Sequence, residues 1–184
     1  MDAVGERALV AGAGIVAAAV LATGSSLAAV PALYATTGEF CDVPARLLYA
    51  VALVESDRPD DGGIREPWPW TLNVNGEGRY YESRQAQYEA LIEAIKRGDV
   101  VDVGETQLNW GYKYDYLVSP WLATDRVFNL TTACRILRNH YRGRASGNWL
   151  LAAGLYHREA TTPKATAARD AYIVRVRRAW RSLQ

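Results

Sequence analysis

The chain has 184 residues, of which 49% are apolar and 22% charged, with 15 Gly and 7 Pro. That is the composition of one globular domain with a short appendage, which excludes disordered, collagen-like and coiled-coil classes. Two cysteines, Cys41 and Cys134, and two histidines, His140 and His157, are too few for a disulfide framework or a zinc centre, so no metal or cofactor is expected. The formal charge of +1 hides an asymmetry: residues 1–125 hold 9 Lys+Arg against 18 Asp+Glu, and residues 126–184 hold 12 against 2. The split fits either a cationic face toward a polyanion or arginines on solvated helix faces.

Residues 8–22 run without a charge. Fifteen residues suit the apolar region of a signal peptide, and Ser26-Leu27-Ala28 offers small residues for cleavage after Ala28. Asp2 and Glu6 offset Arg7, so residues 1–28 read as either a signal peptide or an uncleaved membrane anchor. Both readings place a domain at 36–184 outside the cytoplasm, in the periplasm or cell envelope. There Cys41 and Cys134 can pair as one disulfide.

Asp42-Val43-Pro44 reads as a helix start, with Asp at the cap and Pro in the first turn, and the helix runs to about Ser56. Residues 58–70 read as loop. Residues 70–81 predict a small β-hairpin around Asn75-Gly76. Ser83 opens a helix that ends near Gly98, with Tyr88, Leu91, Ile92 and Ile95 as its apolar stripe. Val100 to Leu108 reads as extended, then open to a short helix, and residues 110–124 as an aromatic-rich loop. Helices follow at about 126–141, 148–158 and 166–182, with Asn148 as the cap of the middle one. The expected class is mainly α, an α+β domain of helices with one hairpin inserted between its first two.

On the first helix Leu47, Leu48, Val51 and Val54 form the buried stripe, and Glu55 falls in line with it. A carboxylate on the apolar side of a helix loses solvation, which raises its pKa. A carboxyl still protonated near neutral pH is what a general acid needs. The same pattern also fits a Glu that turns to solvent at the helix end or pairs with a nearby Arg.

Val51-Ala52-Leu53-Val54-Glu55-Ser56 resembles the helix end that carries the catalytic Glu-Ser pair in lytic transglycosylases of the soluble, goose-lysozyme-like superfamily. Gly104-Glu105-Thr106-Gln107-Leu108-Asn109 stands where that family has a Gly-Leu-Met-Gln block followed by a hydrophobic residue and Asn. Trp149 to His157 is similar to its Ala-rich helix ending in Tyr, and Phe128-Asn129-Leu130 to a helix that opens with an Asn-Leu step. Pro67-Trp68-Pro69-Trp70-Thr71-Leu72-Asn73-Val74 resembles the subgroup encoded with conjugative transfer and integrating elements. The similarity covers roughly residues 40–180, four blocks in the family's order. It departs at Glu105-Thr106, where the family has Leu-Met, and at His157, where many members have Asn.

The resemblance implies a lysozyme-like fold and cleavage of the β-1,4 bond between N-acetylmuramic acid and N-acetylglucosamine in peptidoglycan. It implies Glu55 as the catalytic acid and then base, and Ser56, Gln107, Asn109, Tyr156, Trp70 and Glu105 along the substrate path. Tyr156 would orient Glu55 through its hydroxyl. Trp68, Trp70, Tyr80, Tyr81, Trp110 and Tyr112 are available to stack on sugars or to pack the hairpin. Peptidoglycan strands are the expected partner, with a secretion or conjugation apparatus beyond them. No nucleic-acid motif accompanies the basic third, so none is expected there. Two alternatives remain: a muramidase in which Asp102 or Glu105 holds a water, and a non-catalytic wall-binding component.

Overall fold

The computed structural model describes residues 30–59, 65–111, 114–159 and 161–183. The expected leader over residues 1–28, and Tyr112, lie outside the described residues. The helices are α1 (Ala32–Phe40), α2 (Ala45–Ser56), α3 (Arg84–Arg97), α4 (Tyr114–Leu117), α5 (Pro120–Ala123), α6 (Arg126–Arg142), α7 (Trp149–His157) and α8 (Pro163–Ser182). Strands β1 (Asp57–Pro59) and β2 (Arg65–Pro67) form an antiparallel pair. Strands β3 (Thr71–Val74), β4 (Glu77–Tyr80), β5 (Val101–Val103) and β6 (Leu108–Asn109) form an antiparallel sheet in the order β4-β3-β5-β6. The domain is therefore mainly helical with a small antiparallel sheet. Among the described residues no helix is long and apolar enough to cross a membrane.

Helix α2 is the centre of the larger core. Leu47, Leu48, Ala50, Val51 and Ala52 are all fully buried, because α1 and α8 pack on it and α6 contributes Leu130, Cys134 and Leu137 to the same cluster. Helices α7 and α8 approach closely at Gly154, where a Cβ would stand 2.6 Å from the Ile173 side chain. The smaller core lies between the sheet and α3. Leu72, Val74, Val101, Val103 and Leu108 meet Leu91 and Ala94 there, with Ala133 and Ile136 of α6. Tyr156 packs against both cores and so marks their junction.

Ser83 caps α3, accepting from the Ala86 amide, and Gly98 closes that helix in the left-handed conformation (φ 73°). Asn148 caps α7 in the expected way. Other expectations are corrected. Helix α1 over Ala32–Phe40, not among the expected helices, buries Tyr34 completely. Asp42 does not cap α2: it sits at φ 53° and its carboxylate turns to Arg138 and Arg142, while the Pro44 carbonyl accepts from Leu47 and Leu48. The stretch read as loop at 58–70 contains β1 and β2. The 71–74 and 77–80 strands do pair as a hairpin around Asn75-Gly76 between α2 and α3, the helices expected to flank it, but β5 and β6 extend it to a four-stranded sheet. Residues 104–107 make a turn instead of a short helix, with Gly104 at φ 77° and Gln107 at φ 49°. The aromatic loop contains α4 and α5, the latter capped by Ser119 with Pro120 in its first turn. Helix α8 starts at Pro163, because Thr162 caps it.

Candidate active site

The last turn of α2 brings Glu55 to the junction of the two cores. Its side chain is 14% exposed, so it is largely but not wholly buried. Burial pushes its pKa up to about 7, and the nearby Asp102 charge adds to this, while Tyr172 and Arg175 pull it down. The carboxyl also lies at the negative end of the α2 dipole, which works in the same upward direction. At neutral pH a substantial share of Glu55 therefore carries its proton.

Two phenols and an imidazole surround this carboxyl. Tyr172 of α8 is fully buried; among the described residues its hydroxyl makes no hydrogen bond of good geometry, and Glu55 is the neighbour that acts on it most, ahead of Tyr156 and Arg175. Its ring stacks flat on His157, with centroids 4.2 Å apart. His157 Nδ1 stands 3.9 Å from Glu55 Oε1. Burial, with Arg158 and Arg175 nearby, holds the imidazole pKa down at about 4, so His157 is neutral beside the acid. Tyr156 is held well above its ordinary pKa, first by burial and then by Glu55. The expectation that its hydroxyl orients Glu55 is corrected: the Tyr156 hydroxyl donates to the Thr106 carbonyl at 2.6 Å.

The Gly104–Gln107 turn closes over the helix end and is held from three elements. From α2, Ser56 Oγ lies 2.8 Å from the Glu105 carbonyl and 3.1 Å from the Ala52 carbonyl. From α6, Asn129 accepts from the Thr106 hydroxyl at 2.6 Å and donates to the Val103 carbonyl at 2.9 Å. From α7 comes Tyr156. Gly104 is required by the same packing, since a Cβ would lie 2.6 Å from the Asn129 amide. Ser56 is thus buried structure, not surface. Gln107 folds back on its own turn, donating to the Gly104 carbonyl at 2.9 Å, and stays partly exposed.

Asp102 and Asn109 face each other across β5 and β6, and Asn109 donates to Asp102 at 2.7 Å. Burial raises the Asp102 pKa, while Asn109 and Arg158 lower it. Asp102 is therefore the second carboxyl coupled to Glu55. Glu105 is not. Its side chain is buried, Arg126 donates to both oxygens at 2.7 and 3.2 Å, and the Tyr34 hydroxyl donates as well. A carboxylate whose acceptors are filled from α1 and α6 has no free edge for substrate or water, which corrects its expected place on the substrate path.

Trp70 joins a separate aromatic group. It meets Trp68 edge to face at 6.1 Å, and the Arg58 guanidinium covers the Trp68 ring at 4.5 Å. Trp68 itself is fixed by a 2.8 Å bond from its indole N–H to the Tyr81 carbonyl.

Sequence reasoning missed Tyr172. It lies four residues before Val176 on the buried side of α8, and a buried phenol needs a polar neighbour. That spacing was the available signal. Among the described residues no group of His, Cys, Asp and Glu is arranged to hold a metal. Comparison of the chain with family models, with curated protein sequences and with solved structures finds no match.

Proposed function

We propose that the protein is a peptidoglycan lytic transglycosylase with a lysozyme-like α+β fold. It cleaves the β-1,4 bond between N-acetylmuramic acid and N-acetylglucosamine and leaves 1,6-anhydro-muramoyl ends. The observation that carries this reading is Glu55, a largely buried side chain, 14% exposed, with a pKa of about 7. Such a group holds a proton at neutral pH and can release it to a leaving oxygen.

Glu55 protonates the glycosidic oxygen. Positive charge develops on the muramoyl ring, and the ring's own N-acetyl group stabilises it. The ionised Glu55 then accepts the proton of the C6 hydroxyl as that oxygen closes on C1. The proton returns to Glu55 and no water is consumed. The neutral His157 and the protonated phenols of Tyr156 and Tyr172 suit this cycle, because none of them locks the carboxylate in an ion pair. Gln107 and Asn109 line the approach from the turn and β6, and the Trp68–Trp70 group offers ring faces to a glycan.

The Cys41–Cys134 disulfide supports an exported, envelope-facing protein, since such bonds persist in oxidising compartments. There it opens the wall for a secretion or conjugation apparatus. A second reading rests on Asp102, whose charge is felt at Glu55. In a muramidase it would hold the attacking water, as the second carboxyl of a glycosidase does. Clearing of purified sacculi tests the shared step. Glu55→Gln should slow it by at least ~10²-fold, the scale of general-acid catalysis, while the variant still sediments with sacculi. Unchanged clearing would remove Glu55 from both readings.

A further inference from the structure

We propose that the cleft between the α1–α2 connection and α6 is a binding site for a phosphoryl group, a proposal independent of the glycan-cleaving reading. The cleft has a volume of about 320 Å³. Phe40, Cys41 and Asp42 form one wall, and Arg135, Arg138, Asn139 and Arg142 form the other. The four α6 residues fall on one stripe of the helix, three and four apart. The Cys41–Cys134 disulfide joins the two walls one residue from Arg135, with the two Cα atoms 6.3 Å apart. Their separation is therefore fixed before any ligand arrives.

The charges in the cleft do not balance. Arg138 and Arg142 both donate to a single oxygen of Asp42, at 2.9 and 3.4 Å. That carboxylate is 69% exposed and sits at the rim. Arg138 is only 20% exposed, and its Nε is buried with no hydrogen-bond partner among the described residues. Arg135 lies 5.7 Å over the Phe40 ring, and that ring is 67% exposed.

Three guanidinium groups against one carboxylate leave two positive charges, which the dianion of a phosphate monoester balances. Guanidinium forks match the geometry of phosphate oxygens, several of which can be bonded at once. A carboxylate would leave one positive charge uncompensated. The exposed Phe40 face and the remaining volume suit the small organic substituent of a phosphate ester, such as a glyceryl group.

Calorimetric titration with inorganic phosphate and with glycerol 3-phosphate, at fixed ionic strength, tests the site. Both should bind saturably. The exposed pair Arg135→Gln/Arg142→Gln should weaken binding by about tenfold or more, the scale of lost charge-assisted bonds. The pair Arg177→Gln/Arg178→Gln on α8 makes the same charge change elsewhere and should alter binding less than about twofold. Asp42→Asn removes the internal competitor and should tighten it, a gain that misfolding cannot produce. No saturable binding, or equal loss in the two arginine pairs, would overturn the proposal. Vesicles containing phosphatidic acid, whose headgroup is a phosphate monoester, then separate a lipid headgroup from the free ester. Binding of these vesicles supports the site only if the cleft pair loses it, and retained binding counts against it.

Discussion

Glu55 and His157 sit 3.9 Å apart and shift in opposite directions, one up to about 7 and the other down to about 4. Below pH 4.5 Glu55 is protonated whether the chain is folded or not. Between pH 4.5 and about 7 the unfolded chain ionises Glu55 while the folded state still holds its proton, so about 3 kcal/mol of stability is lost across that window. His157 works the other way. Its contribution is present above its ordinary 6.5 and is lost as pH falls through about 4. Between those limits the two slopes oppose each other. Urea unfolding across pH 4–8 should therefore give a shallow profile for the unmutated protein. Glu55→Gln should gain on it steadily with rising pH, by about 3 kcal/mol at pH 8 relative to pH 4. Parallel profiles would show that Glu55 is not buried in its charged form.

At the scale of elements, the Gly104–Gln107 turn joins the sheet to the helices above Glu55. Its Glu105 fills a buried slot as part of a group with Tyr34 and Arg126. Glu105→Leu has the size of an apolar residue but strands the Tyr34 hydroxyl and the Arg126 charge. Breaking such a group should cost about 3 kcal/mol, the lower end of the range because Arg126 is 40% exposed. Denaturant unfolding measures this, and the sugar product of the folded fraction should not change. An unaltered unfolding midpoint would contradict the assignment.

Helical spacing aligned Glu55 with Leu47 and Val51 but fitted a solvent-facing or Arg-paired Glu as well, and the resemblance of Val51 to Ser56 is what singled it out. The caps at Ser83 and Asn148 were legible because their chemistry is local. The four-stranded sheet was not, since β5 and β6 have three and two residues and are too short to show alternation. The burial of Glu105 was not, since its partners come from α1 and α6. Tyr172 was hidden in a helix whose exposed arginines dominate its composition.

Over the whole molecule, the disulfide closes a loop of 93 residues between the start of the domain and α6. The chain-entropy account assigns such a closure about 4–5 kcal/mol. Reduction should lower stability by that order, read as a shift in the urea midpoint with and without reductant, and an unchanged midpoint would contradict it. The charge asymmetry of the chain is partly consumed inside the fold, where Arg126 pairs with Glu105, and Arg138 and Arg142 pair with Asp42. Exposed arginines remain on α8, at Arg175, Arg177, Arg178 and Arg181, besides the surplus charge of the α6 cleft.

In the proposed reaction one carboxyl, acting first as acid and then as base, cuts glycan without water. Mass spectrometry of the muropeptides released from purified sacculi by the unmutated protein tests it most directly. The account predicts muramoyl ends one water lighter than a hydrolytic product, and their loss in Glu55→Gln. Reducing ends without the anhydro ring would contradict it and turn the assignment to a hydrolase in which Asp102 holds the water.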